Sequence, residues 1–161
     1  TYTGLTGAVW QELRQANRHA DIIGVSYYPL KESEVHPPGI LNQHLTDLFR
    51  IYPGKKFDFY QYGYPSSSKI NGSLEKQREF VAETFKRWDQ YHQRIRMVTF
   101  TWLYDVQQVH IEGMSHDTLG DFSPSDAFHE FLGSLGLHGT KVGSEKPAFT
   151  ELKKQTKLRG W

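Results

Sequence analysis

A glutamine among aromatic residues, Gln61, is the residue whose setting is most suggestive of chemistry. It lies in the run Phe57-Asp58-Phe59-Tyr60-Gln61-Tyr62-Gly63-Tyr64-Pro65, which ends in Ser66-Ser67-Ser68. The first half reads as a strand that stops in a Gly/Pro/Ser-rich loop. An amide at such a strand end must find hydrogen-bond partners if it is buried, because an unpaired one is costly. At a side-chain period of two, Phe59 and Gln61 share one face, while Asp58, Tyr60 and Tyr62 share the other. A core strand whose last polar residue faces water fits the same residues.

Two further runs have the same design. Asp21-Ile22-Ile23-Gly24-Val25-Ser26-Tyr27-Tyr28-Pro29 precedes it, and Arg96-Met97-Val98-Thr99-Phe100-Thr101-Trp102-Leu103-Tyr104-Asp105 follows. Each is an apolar strand that ends in aromatic residues and then a polar loop. Tyr27, Tyr28, Tyr64, Trp102 and Tyr104 therefore fall near strand C-termini, where the ligands of parallel α/β architectures sit. Aromatic residues in such places also serve as core. Of the carboxylates, only Asp105 and Asp58 lie close to a strand end; the glutamates fall on helices or in loops. His110, Glu112, His116 and Asp117 mix ligand types without a recognised metal spacing, so no metal or other cofactor is expected. Gly133-Ser134-Leu135-Gly136 lies at a helix end and reads as a cap, and no phosphate loop or nucleophile elbow is present.

The elements that must hold these residues alternate. An apolar stripe over Gly7 to His19 predicts a helix, followed by the strand Asp21 to Tyr28. A second helix begins near Pro38, carries Leu41, Leu45, Leu48 and Phe49, and stops at Pro53-Gly54. Ser73 caps a long helix after the Gln61 strand. The third strand, Met97 to about Tyr104, leads into a long polar loop, Asp105 to Phe122. Ser123-Pro124 opens one more helix, and Lys146-Pro147 opens the last. Strand–helix alternation predicts parallel βαβ units with right-handed crossovers in one domain, residues 1–161.

Composition narrows the function classes. Among 161 residues, 19 Lys and Arg nearly balance 18 Asp and Glu, so no strong field points to nucleic acid or a membrane surface. No run is long and apolar enough to span a bilayer. The chain has no cysteine, which excludes disulfides and thiolate metal sites but leaves the compartment open. Four Trp, nine Tyr and ten Phe are an aromatic surplus that suits either sugar stacking or a large core.

Together the three strands resemble the last strands of a clan A (β/α)8-barrel glycoside hydrolase, most of all the endo-β-1,4-galactanases. Tyr62-Gly63-Tyr64-Pro65 matches the segment that follows the nucleophile on the seventh strand, and Lys146-Pro147-Ala148-Phe149 resembles the end of many barrel glycosidases. The resemblance implies an α/β fold, a partial (β/α)8 barrel made of about the last three parallel strands. It places Gln61 where the nucleophilic carboxylate stands. It assigns Trp102 to the ring beneath the sugar and Tyr28 to the tyrosine that bonds the nucleophile. Tyr27, Tyr64 and Tyr104 would widen the aromatic floor, and Asp105 could reach the cleft. The acid/base glutamate belongs to the fourth strand, which is absent here. The expectations are a carbohydrate partner, secretion or a periplasmic location, and no turnover by this chain alone. Its sheet edges would be met by a second copy or by the N-terminal half of a barrel.

Overall fold

A computed structural model describes the backbone of residues 7–119, 126–141 and 144–161, and the side chains of 11–113, 126–141 and 144–161. Helix α1 (Gly7–Ala16) leads into strand β1 (Ile22–Tyr27), and a short hairpin of β2 (Leu30–Lys31) and β3 (Glu34–Val35) follows. Helix α2 (Ile40–Ile51), strand β4 (Lys56–Tyr62), helix α3 (Leu74–Tyr91) and strand β5 (Ile95–Phe100) complete two βαβ units. Helices α4 (Gln108–Leu119), α5 (Asp126–Leu132) and α6 (Pro147–Leu158) close the described chain.

The three long strands form one sheet in the order β1-β4-β5, and both pairings are parallel. Helices are needed for such crossovers, and the apolar stripes supply them. Leu41, Leu45, Leu48 and Phe49 of α2 and Phe80 of α3 are buried with Ile23, Tyr27, Phe57, Phe59, Tyr62 and Tyr64 in one core. On α3, Val81 and Phe85 form a second cluster with Leu137 and Ala148. Ser73 caps α3 as expected, its hydroxyl accepting from the backbone N–H of Lys76 at 3.0 Å.

The alternation along β4 is broken. Val25 pairs with Phe59 but Ser26 pairs with Gln61, so Tyr60 is the extra residue of a bulge. The expected face assignment is corrected accordingly. Phe57, Phe59 and Tyr62 all face the helices, whereas Asp58 and Gln61 lie on the opposite face. Tyr60 lies over Gly24, where an added Cβ would stand 2.6 Å from its Cε2. That second face carries no helix among the described residues, and Ile22, Tyr60 and Met97 are exposed on the sheet.

Two elements were not expected. Helix α4 occupies part of the expected polar loop: its apolar residues gather no single stripe, and Ile111 is buried while Val109 is exposed. The hairpin of β2 and β3 is only two residues wide, too short for a periodicity to register. The helix start expected at Ser123-Pro124 lies outside the described residues.

Candidate functional site

The C-terminal ends of the three strands are tied side by side. The Gly63 N–H donates to the Tyr27 carbonyl at 3.3 Å, and the Thr101 N–H donates to the Tyr62 carbonyl at 2.9 Å. Gln61 is exposed on the helix-free face, and its Oε1 accepts from the Ser26 hydroxyl at 3.3 Å. The bulge at Tyr60 brings this about, because it turns Gln61 away from the helices and toward Ser26. On the neighbouring strand end, Trp102 is 40% exposed, and the peptide bond before it is cis. The close approach of strand ends requires Gly63, since a Cβ there would stand 2.8 Å from the Thr101 carbonyl oxygen.

Behind these ends, a polar layer fixes the loops. Gln77 of α3 is buried, and its amide nitrogen lies 2.8 Å from the Tyr64 carbonyl, 3.2 Å from that of Leu135 and 3.1 Å from that of Gly136. It thereby joins the loop after β4 to the segment before α6. Lys146 donates to Asp105 at 2.6 Å and to the Ser66 hydroxyl at 3.0 Å. Asp105 also accepts the Gly136 N–H at 2.9 Å. Burial pushes the Asp105 carboxyl up and the Lys146 ammonium down, while the bond between them opposes both shifts.

The expected site residues divide into three groups. Gln61, Trp102 and Tyr28 come to the same edge of the sheet. Tyr28 is not bonded to Gln61, however: its ring packs edge-on against Phe131 at 5.0 Å, and its hydroxyl bonds Thr101. Burial raises the Tyr28 phenol above its ordinary range, with the Thr101 bond pulling the other way. Tyr104 is exposed beyond the strand end, its ring 5.2 Å from that of His138.

Tyr27, Tyr64 and Asp105 are placed elsewhere. Tyr27 is 2% exposed and points into the helix-side core, where its hydroxyl meets His44 Nδ1 at 2.9 Å. Tyr64 is 1% exposed and donates to the His36 carbonyl at 2.8 Å. Neither widens an aromatic floor: Tyr27 follows the alternation of Ile23 and Val25 into the core, and the Tyr64 ring packs against Phe80 of α3. Asp105 is committed to Lys146 and Gly136 and does not reach a cleft. Ser26, Thr101 and Gln77 join the arrangement unannounced, since a serine, threonine or glutamine becomes informative only once the register is known.

An amide beside a hydroxyl can donate and accept hydrogen bonds, and an exposed indole can stack on an apolar ligand face. Gln61 is neutral and cannot serve as an anionic nucleophile. Among the described residues, no group of three or more His, Asp or Glu is arranged to hold a metal ion. Of the loop His and acid residues, Glu112 accepts from Gln108 at 2.9 Å. The side chains of His116 and Asp117 lie outside the described residues. No described helix is long and apolar enough to cross a membrane.

These elements define an α/β protein whose parallel strands direct exposed polar and aromatic groups to their C-terminal edge. No family model and no curated protein matches the sequence. The fold is similar to that in the crystal structure of Ruminococcus gnavus β-glucuronidase, with a TM-score of 0.57 and 14% sequence identity. The match covers 88% of this chain but 23% of that one. The likeness shows the fold alone, and the chain spans about a quarter of that enzyme's length.

Proposed function

We propose that this chain is the sugar-facing part of a glycoside-hydrolase-like (β/α)8 barrel and is catalytically silent by itself. The observation that supports the reading is the exposed Gln61 amide, held by Ser26 at a strand end, with the exposed Trp102 just past the end of the neighbouring strand. In retaining hydrolysis, two carboxyl groups about 5–5.5 Å apart act as nucleophile and acid/base. Gln61 keeps the size of a glutamate but not its charge, and Asp105 is engaged by Lys146. The chain would therefore bind a β-linked saccharide, galactan being the polymer suggested by the sequence likeness, without cleaving it. Substrate-positioning contacts would come from Trp102, Ser26 and Gln61.

A second reading has its own support. Ile22, Tyr60 and Met97 are exposed on the helix-free face, and among the described residues no strand pairs with the outer edges of β1 and β5 in the sheet. Parallel sheets are normally covered on both faces. Further barrel strands or a second copy of the chain would cover this one. Titration with β-1,4-galacto-oligosaccharides, followed by amide NMR, tests the primary reading. Shifts at Ser26, Gln61 and Trp102 that saturate at millimolar ligand and vanish in Trp102→Ala support it. No shift at these residues with galacto-, gluco- or glucurono-oligosaccharides would overturn it.

A further inference from the structure

Beyond the strand ends, on the far side of Tyr28, lies a cavity of ≈ 360 Å³. Its walls are the rings of Tyr28, Phe128 and Phe131 with the aliphatic side chains of Leu30, Ile70 and Ala127, and its polar lining comes from Glu32 and Ser33. Three elements build it: the tip of the β2–β3 hairpin, the turn that carries Ile70, and α5. The hairpin is shaped for this, since Glu32 takes a left-handed backbone conformation (φ 54°) between its two short strands. The other end is anchored by Glu130 of α5, which accepts from Ser67 at 2.6 Å and pairs with Lys69. The cavity is thus framed by hydrogen-bonded elements, and Tyr28 forms the wall between it and the sheet.

Size and chemistry select the occupant. A cavity of about 150 Å³ lined by apolar side chains already takes up benzene, so this one has room for two fused rings. Its volume falls at the small end of ligand pockets. A saccharide would bring many hydroxyls to a wall of six apolar or aromatic side chains and leave most of them unpaired. A flat aromatic body instead meets the edge-to-face geometry that Tyr28 and Phe131 already adopt. The one carboxylate in the lining, Glu32, accepts hydrogen bonds and repels anions, so it favours a ring bearing a hydroxyl donor and disfavours an aryl carboxylate.

We infer that this cavity is a binding site for a small fused aromatic ring carrying a phenolic hydroxyl. The inference rests on the cavity and its lining, not on the carbohydrate reading of the strand ends. The test is a titration of the full chain with 2-naphthol, and in parallel with 2-naphthoate, followed by amide shifts and calorimetry. Saturable binding of 2-naphthol is expected with a Kd of about 1 mM or tighter, with shifts at Leu30–Ser33 and in α5. 2-Naphthoate should bind at least about fivefold more weakly, and Glu32→Gln should narrow that gap.

Phe131→Ala should weaken 2-naphthol about tenfold. Because Phe131→Ala also opens the packing against Tyr28, Ala127→Phe serves as the second variant. It fills the cavity from α5, should keep the wild-type melting curve and should abolish binding. Absence of saturable binding to the wild type, or equal binding by a folded Ala127→Phe, would overturn the inference. Tighter binding of 2-naphthoate than of 2-naphthol would overturn the assignment of ligand class.

Discussion

Lowering the pH should destabilise the fold through one histidine. His44 is buried on α2, where its Nδ1 meets the Tyr27 hydroxyl at 2.9 Å. Burial first, and then the nearby His36, lower its pKa from 6.5 to about 4, with Asp47 pulling weakly upward. His36 and His44 stand ring to ring, 5.8 Å between centroids. The folded state therefore holds His44 neutral, while the unfolded chain protonates it near pH 6.5. The associated stability is fully present above that pH and is lost as the pH falls toward 4. Linkage with these two values gives a loss of about 2 kcal/mol by pH 5 and about 3 kcal/mol by pH 4.

Urea unfolding followed by circular dichroism, at half-unit steps from pH 7.5 to 4.5, measures this loss directly. Carboxylates also titrate at the acid end. Glu75, Asp89 and Glu145, for example, are held below their ordinary range by Arg78, Arg159 and Lys153. The informative quantity is therefore the difference between the wild type and His44→Gln. The variant should be less stable at pH 7.5, yet its stability should fall by about 2 kcal/mol less on going to pH 5. Parallel pH profiles for the two proteins would refute the argument, because the acid sensitivity would then arise elsewhere.

Three structural predictions concern the sheet and the polar layer behind its strand ends. Gln77→Leu removes the donor shared by the Tyr64, Leu135 and Gly136 carbonyls and should destabilise by about 1–3 kcal/mol in urea unfolding. Gln77→Glu should be worse, since it removes the donor and also buries a negative charge against those carbonyl oxygens. Lys146→Met strands Asp105 in a half-buried site and should lose about 3–5 kcal/mol; adding Asp105→Asn should recover part of it in a double-mutant cycle. Gly63→Ala drives a methyl against the Thr101 carbonyl and should cost about 1–3 kcal/mol, whereas Gly24→Ala meets only the movable ring of Tyr60 and should cost less. Similar melting temperatures for the two glycine variants would count against that contrast.

The three parallel strands and the helices between them were legible because their signals are local: apolar stripes, a serine cap and Gly/Pro stops. The strand ends were legible for the same reason, and Gln61 and Trp102 reach one edge because parallel pairing aligns their strands. What the sequence concealed was register. A bulge at Tyr60 has no mark in composition, yet it inverts the faces of Gln61 and Tyr62 and sends Tyr62 to the core. Tyr27 and Tyr64 follow the helices inward, where they meet His44 and the His36 carbonyl. Asp105 looked free because its partner, Lys146, is far away in sequence. Helix α4 was hidden because tertiary contacts, led by Ile111, hold it without an amphipathic stripe.

Hydrolysis assays on the wild type and Gln61→Glu test the central claim most directly, using alkyl β-glycosides, whose poor leaving group must be protonated by a general acid, with the chain as sole protein. The account predicts that neither releases aglycone above the buffer rate, while both keep the saccharide-dependent shift at Trp102. Turnover by Gln61→Glu alone would contradict it, by showing that this chain already contains a working acid/base. Turnover by the wild type would show that Gln61 does not stand in the place of the nucleophile.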